Sequence, residues 1–260
     1  MNTPSLRAKI EGIGLWAPGL PTWQSFCEQR AGQAPSLQAS TRPAPTLLPA
    51  NERRRAPDTV LVALQAAQAA CQAAGRDPAG LPSVFACTFG DLGISDHLCQ
   101  TLAIAPADVS PTRFHNSVHN AAAGYWTIGT GATAPATAIS AGPATFAMGL
   151  LDAFTQLDAG AEAVLLVAYD GPSAGPLRCY SNSEGLLGAA LVLSRADRAH
   201  AGTALDIAFQ DDVAPTPPPE VACGNAMQPM LALLAAIADH HTHVVLAGGA
   251  RSLRIGLEHG

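Results

Sequence analysis

Short apolar runs along the chain alternate with longer stretches in which apolar residues recur at helical spacing. Five runs predict buried strands, at residues 7–16, 83–88, 137–141, 163–169 and 186–194. Three stretches between them predict helices, at residues 58–74, 91–102 and 143–159. The order β-α-β-α-β-α-β-β is typical of an α/β layer with a largely parallel sheet. The last strand follows a loop, so it is free to pair antiparallel.

The rest of the chain predicts a loop and a short C-terminal extension. Residues 31–50 are rich in Pro, Ser and Gln and predict a loop. After residue 200 we expect an edge strand, a stiff Pro-rich connector, a helix and two final strands, at residues 203–212, 214–219, 225–240, 243–247 and 252–257. We therefore expect one α/β unit over residues 1–200 and an extension over residues 201–260 that packs on the same domain.

The most informative segment is the turn between the strand at 137–141 and the helix after it. It reads Ser-Ala-Gly-Pro over residues 140–143, and Pro143 suits the first position of a helix. Free backbone N–H groups at such a helix start stabilise a thiolate or an oxyanion, so a nucleophile on this turn would be activated. Gly142 stands there instead and has no side chain with which to attack.

This turn and three other segments resemble the N-terminal half of the β-ketoacyl synthases, in the correct order. The turn resembles the one that carries the family's cysteine, with Gly142 at the cysteine position. The other segments are Asn51–Arg55, Ser83–Gly90 and Arg113–Gly124. The short ketosynthase-like proteins called chain-length factors, particularly the aryl polyene type, are the most similar variety. The resemblance implies a thiolase-like α/β fold with a mostly parallel mixed sheet.

The resemblance also implies a subunit that does not catalyse condensation alone. A complete ketosynthase has a second half that supplies a pair of histidines, and residues 196–260 are too few for such a repeat. We expect a heterodimer in which a catalytic ketosynthase supplies the cysteine, the histidines and most of the docking surface for an acyl carrier protein. The strand at 137–141 and the segment 113–126 are expected at the interface. The residues expected to line the acyl channel or the interface are Phe114, His115, Ser117, His119, Tyr125, Phe146 and Met148.

Two other functions stay open at the level of the sequence. An acyl-transferring or acyl-hydrolysing enzyme would use a relocated nucleophile, Cys87 or Thr145. A structural homodimer would have no acyl role. His115 and His119 are spaced i, i+4 and would share one helix face, but no third ligand is evident, so we expect neither a metal nor a cofactor.

Composition narrows the classes of partner. Apolar residues make up 48% of the chain and charged residues 13%, against about 25% charged in typical domains. A large interface or an interior rich in Ala and Gly accounts for this deficit. The net charge of −6 argues against nucleic acid. There is one tight basic cluster, formed by Arg53, Arg54 and Arg55. It is either a docking site for an acidic carrier protein or a solvent-exposed segment that leads into the next helix.

The expected compartment follows from what the sequence lacks. The six cysteines show no CxxC spacing, which argues against zinc and thioredoxin-like sites. Residues 1–5 do not begin a signal peptide, and no apolar run is long enough to span a membrane. We expect a reduced, cytoplasmic, soluble protein.

Overall fold

The computed structural model describes residues 6–34, 41–181, 183–197, 202–221 and 224–260. The strands are β1 (Leu6–Trp16), β2 (Ser83–Ala86), β3 (Ala136–Ile139), β4 (Ala163–Asp170), β5 (Leu187–Arg195), β6 (Ala204–Gln210), β7 (His243–Ala247) and β8 (Ser252–Glu258). The helices are α1 (Trp23–Arg30), α2 (Ala50–Arg55), α3 (Asp58–Ala74), α4 (Leu92–Ile104), α5 (Pro111–Ser117), α6 (Ala121–Thr130), α7 (Thr145–Asp158) and α8 (Pro229–Ala238). The predicted absence of a signal peptide, part of the predicted loop and Cys223 fall on residues outside these ranges.

The described strands form one eight-stranded sheet in the order β3-β2-β4-β5-β1-β6-β8-β7. Strands β3, β2 and β4 are parallel, and the remaining neighbours are antiparallel. The α/β fold with a mixed sheet is therefore confirmed, but its parallel part is smaller than we predicted. The reason is connectivity: β4 to β5 and β7 to β8 are joined without a crossover helix, and such connections allow antiparallel pairing.

Two strands occupy other places in the sheet than predicted. The strand at 203–212 is not an edge, because β6 lies between β1 and β8. Its alternating burial is typical of an edge strand, yet the final hairpin covers its outer side. Conversely, β3 is predicted to be buried, but it is one of the two edge strands of the described sheet and is only partly covered. Its position leaves one row of backbone groups without a neighbouring strand in the described chain.

Four helices escape prediction because their apolar pattern is weak. These are α1, α2, α5 and α6. The signals that remain are at their starts: the Thr22 hydroxyl accepts from the backbone N–H of Ser25, and Ser110 precedes Pro111 at the first position of α5. By contrast, the long helix predicted at 58–74 is confirmed, and it ends at Gly75 in the left-handed conformation. None of the described helices is long and apolar enough to cross a membrane.

Helices cover both faces of the sheet. One core cluster joins the sheet to α7 and α8, and the other joins it to α3 and α6. Helix α3 approaches β1 closely at two glycines. A Cβ atom added at Gly14 would lie 2.0 Å from the carbonyl oxygen of Ala66, and one at Gly12 would lie 2.3 Å from that of Ala70. These glycines are needed for the distance between helix and sheet, not for an unusual φ.

We expect Gly14→Ala to lower the free energy of unfolding by about 3 kcal/mol, because the new methyl group overlaps backbone atoms that cannot move aside. Denaturant unfolding followed by circular dichroism measures this. Gly80→Ala is the matched control, since a Cβ there meets no atom within 4 Å. Equal unfolding midpoints for the two variants would contradict the close-approach argument.

Candidate functional site

The turn that follows β3, residues 140–145, is here called the glycine turn. The Ser140 hydroxyl donates to the carbonyl oxygen of Thr88 at 2.7 Å, which ties the turn to the segment after β2. Gly142 begins a short 3-10 turn and has φ +55. A Cβ added at Gly142 meets no atom within 4 Å. The position is therefore open, and its backbone conformation is one that favours glycine.

Thr145 holds the glycine turn closed and is not available as a nucleophile. Its side chain is fully buried. The hydroxyl donates to the carbonyl oxygen of Gly142 at 2.7 Å and accepts from the backbone N–H of Ala141 at 2.9 Å. Because both of these bonds belong to the turn itself, attack by this hydroxyl would require the turn to break.

Cys87 is equally unsuited to attack. It lies just after β2, is fully buried, and its Sγ accepts from the backbone N–H of Gly90 at 3.2 Å. Burial, and then the nearby Asp170 carboxylate, raise the pKa of the thiol far above its ordinary value. The nucleophile of cysteine chemistry is the thiolate, so a thiol kept protonated in this environment is inert.

Asp170 is the buried acid of this region. Its Oδ1 accepts from the backbone N–H of Gly171 at 2.9 Å and lies 3.9 Å from the Cys87 sulfur. Burial raises the pKa of the carboxyl group. The carboxyl group packs against Cys87 inside the protein, and both groups are buried. Because neither group reaches the surface, the pair is not placed to act on a bound acyl group.

The two histidines predicted to share a helix face do not do so. Helix α5 ends at Ser117, and Val118 is extended. The His119 Nε2 lies 2.8 Å from the carbonyl oxygen of Cys87, whereas the His115 ring contacts Tyr125 edge to face. Within the described ranges, no group of three or more His, Cys, Asp or Glu side chains is placed to hold a metal.

The remaining residues predicted for the acyl channel separate into two environments. Phe146, near the start of α7, is only 4% exposed and belongs to the core between α7 and the sheet. Met148 packs against the same core. Phe114 is 62% exposed on α5. The Ser117 hydroxyl donates to the carbonyl oxygen of Phe114 at 2.8 Å and so caps the helix end. Phe146 lies on the side of α7 that packs on the sheet. Its role in an acyl channel stays a prediction.

His115 and Tyr125 line a groove that the sequence does not indicate. Its volume is about 700 Å³, and it lies between residues 47–49, α2, α5 and α6. Leu47 and Leu48 form part of one wall, and Arg55 lies at its rim. The Leu-Leu-Pro run at residues 47–49 is the one available signal, since it is apolar within an otherwise polar loop.

The arginines of the described chain fall into two groups. Eight form ion pairs with carboxylates: Arg7, Arg30, Arg42, Arg76, Arg178, Arg195, Arg251 and Arg254. No such pair involves Arg53, Arg54, Arg55 or Arg113 in the described residues. Arg53 donates to the carbonyl oxygen of Pro45 at 3.1 Å. The arginines without a carboxylate partner lie on α2 and α5, next to the groove.

Comparison with known proteins places the chain in a family. The family model for the N-terminal domain of β-ketoacyl synthases matches residues 23–253. The chain belongs to the β-ketoacyl synthase family. None of the curated proteins matches it. The ketosynthase N-terminal fold thus explains the mixed sheet and the position of the glycine turn between β3 and α7.

Solved ketosynthase structures share the fold at low identity. One is a chain in the complex of the ketosynthase ApeO with its chain length factor ApeC from Xenorhabdus doucetiae, with TM-score 0.75, 23% identity, and 96% of this chain and 99% of that chain covered. A chain of the ishigamide ketosynthase/chain length factor gives TM-score 0.71 and 17% identity, with 96% of this chain and 98% of that chain covered. A chain of AntDE:AntF, a type II PKS acyl-carrier protein in complex with its ketosynthase, gives TM-score 0.62 and 16% identity. In this match 80% of this chain and 71% of that chain are covered.

We expect iodoacetamide to alkylate the exposed Cys99 and Cys179 of the folded protein. The buried Cys71 and Cys87 should be spared even at about pH 9, because burial keeps their thiols protonated and out of reach of the reagent. In Gly142→Cys, the added thiol is expected to react as well, because its position is open. Peptide mass mapping measures this, with the unfolded protein as the control in which every cysteine reacts. Rapid modification of Cys87 in the folded protein would restore it as a candidate nucleophile.

Proposed function

We propose that this chain is a non-catalytic ketosynthase-like subunit, a chain-length factor, that pairs with a catalytic β-ketoacyl synthase. The observation that carries the proposal is Gly142 on the glycine turn, where the family resemblance places the nucleophilic cysteine. Loss of a nucleophile costs on the order of 10⁶ in rate. Thr145 and Cys87 do not replace it, since one is committed to the turn and the other is a buried thiol. The partner then supplies the cysteine and the histidines.

The exposed apolar residues support a large interface around β3. Seven exposed apolar side chains lie on or beside α4, α5, α6 and the turn at 176–179: Leu102, Ile104, Phe114, Val118, Ile128, Leu177 and Tyr180. Elsewhere in the described chain, only Phe209 and Val213 are comparably large and exposed. Exposed apolar patches of this kind mark sites of protein association. An unpaired edge strand with α6 packed beside it suits association of two central sheets.

The solved complexes support the choice of partner. Two of the matched structures are named as a ketosynthase with its chain length factor, and this chain spans nearly all of the matched chain in each. We therefore propose a ketosynthase heterodimer that acts in aryl polyene, polyketide or fatty-acid-like synthesis. An acyl-transferring or acyl-hydrolysing enzyme with a relocated nucleophile is disfavoured by the environments of Thr145 and Cys87. A homodimer without an acyl role is the alternative outcome of the assembly experiment below.

Carrier-protein docking is proposed for the arginines of α2. Arg54 and Arg55 are exposed and have no carboxylate partner in the described chain, whereas most other arginines are paired. Arginines without a partner favour an acidic surface, and an acyl carrier protein is acidic. The partner ketosynthase is expected to make most of this contact, since this chain has a net charge of −6.

We expect a stable 1:1 heterodimer when this chain is co-expressed with a ketosynthase of the same organism, measured by native mass spectrometry. Ile128 is 81% exposed in the proposed interface, and Ile128→Glu is expected to weaken assembly at least tenfold because a charge would be buried. Val213→Glu, at 39% exposure outside the patch, is the matched control and should leave assembly intact. Self-association without any ketosynthase complex would favour the homodimer instead.

We expect Phe114→Ala in the assembled heterodimer to lengthen the main product, because Phe114 is the bulky apolar side chain of α5 that is free to reach a partner's channel. Product chains are compared by liquid chromatography with mass spectrometry. Phe146→Ala is expected to act differently: it removes a core ring and should cost about 3–5 kcal/mol of stability. An unchanged product from an intact Phe114→Ala heterodimer would show that this chain does not set product length through Phe114.

A further inference from the structure

The Pro-rich connector after β6 lies along β7, the other edge strand of the described sheet. Residues 213–217 of this connector, here called the strap, are exposed along their whole length. The backbone N–H of Thr216 donates to the carbonyl oxygen of Val245 at 2.7 Å, and the Thr216 hydroxyl accepts from the backbone N–H of Val245 at 2.9 Å. Thr216 therefore satisfies both backbone groups of the central residue of β7.

The composition of the connector explains why Thr216 makes this contact. Between residues 215 and 219, every residue except Thr216 is a proline and so lacks a backbone N–H. The one N–H of this run is therefore used on β7. Because prolines flank Thr216 on both sides, the strap cannot pair with a further strand, and the sheet ends at β7.

The strand beneath the strap is suited to pairing with another strand. Its sequence is His-Val-Val-Leu-Ala, which contains no Asp, Glu, Lys or Arg. Alternate residues of an edge strand present their backbone groups outward, so the N–H and C=O of Val245 would be available to a new strand if Thr216 were displaced. Uncharged, apolar edges of this kind pair with other chains when they are uncovered.

The strap is held at a few points and is not packed into the core. The Ser252 hydroxyl donates to the carbonyl oxygen of Val213, and Arg251 makes a bidentate contact with Asp211 just before the strap. A cavity of about 380 Å³ is lined by residues 212–215 on one side and by the β7–β8 hairpin on the other. Since a few hydrogen bonds and no buried side chain hold the strap, its release costs less than the unfolding of β7.

We propose that the strap is a removable cover of the β7 edge, which prevents this chain from pairing with a second copy of itself through β7. After release, β7 pairs antiparallel with β7 of the second copy about a two-fold axis at Val245, because a two-fold contact places the same segment of both copies together. The two edges of the sheet thus differ: β3 is open, and β7 is closed. This inference goes beyond the proposed function and does not depend on which protein occupies β3.

The first test is sedimentation velocity of the isolated full chain over a range of concentrations. Thr216→Pro removes both groups that contact Val245, and we expect self-association at least tenfold stronger than that of the wild type. Ala214→Pro is the matched control, since it adds a proline to the strap without removing either Thr216 bond, and it should match the wild type. His243→Lys in the Thr216→Pro background places a charge on the exposed end of β7 and should restore the wild-type state.

The second test reports on the strap without requiring self-association. Thr216→Val removes the hydroxyl and keeps the backbone N–H, so the amide of Val245 should exchange with solvent roughly 2–10-fold faster through loss of one hydrogen bond. Hydrogen exchange followed by NMR measures this. Thr155→Val, which removes a hydroxyl bonded to the carbonyl oxygen of Asp152 on α7, is the control and should leave the Val245 amide unchanged.

Three results would overturn the proposal. They are wild-type association of a folded Thr216→Pro chain, association that His243→Lys does not suppress, and unchanged exchange of the Val245 amide in Thr216→Val. If circular dichroism shows that Thr216→Pro does not fold, the exchange measurement decides. Because the wild-type chain is the baseline in both tests, failure of this proposal is distinguishable from failure of the heterodimer to form.

Discussion

The close contact between α3 and the sheet is the constraint on which the arrangement of the neighbouring elements depends. Gly12 and Gly14 of β1, and Gly188 of β5, leave no room for a side chain beneath this helix. Contact at this distance buries α3 and fixes its first turn relative to the sheet. The Thr59 hydroxyl donates to the Asp91 Oδ2 at 3.0 Å, and the Oδ1 of Asp91 accepts from the backbone N–H of Ile94 at the start of α4. The position of α4 is therefore coupled to the packing of α3.

The glycine turn is held by hydrogen bonds that need no nucleophile. Ser140 bonds to the backbone of Thr88, His119 contacts the carbonyl oxygen of Cys87, and Thr145 bridges the turn. These contacts use backbone atoms or side chains other than that of residue 142. The shape of the region therefore does not depend on the side chain at residue 142, because the groups that hold the turn are physically separate from that position.

Large exposed apolar side chains and arginines without a carboxylate partner occur on neighbouring helices. Most of the large exposed apolar side chains lie on or beside α4, α5, α6 and the turn at 176–179, and the arginines on α2 and α5 form no ion pair in the described chain. The other described arginines are neutralised within the chain, as in the bidentate contact of Arg251 with Asp211 and the pair of Arg7 with Glu258. The groove lies among the same helices, next to α2, α5 and α6.

The sequence by itself determined the elements with strong local signals and the family. Helix α3 was predictable because apolar residues recur along it and Gly75 ends it, and β4 and β5 because their apolar runs are continuous. The strand-turn-helix context of Gly142 was also predictable, since an apolar run precedes it and Pro143 follows it. Only the tertiary structure decided that β3 is an edge, that Phe146 belongs to the core, and that His115 and His119 contact different neighbours. The same holds for the groove, whose walls come from segments far apart in the chain. Periodicity reports which face of an element is apolar, but what covers that face depends on contacts between residues distant in sequence.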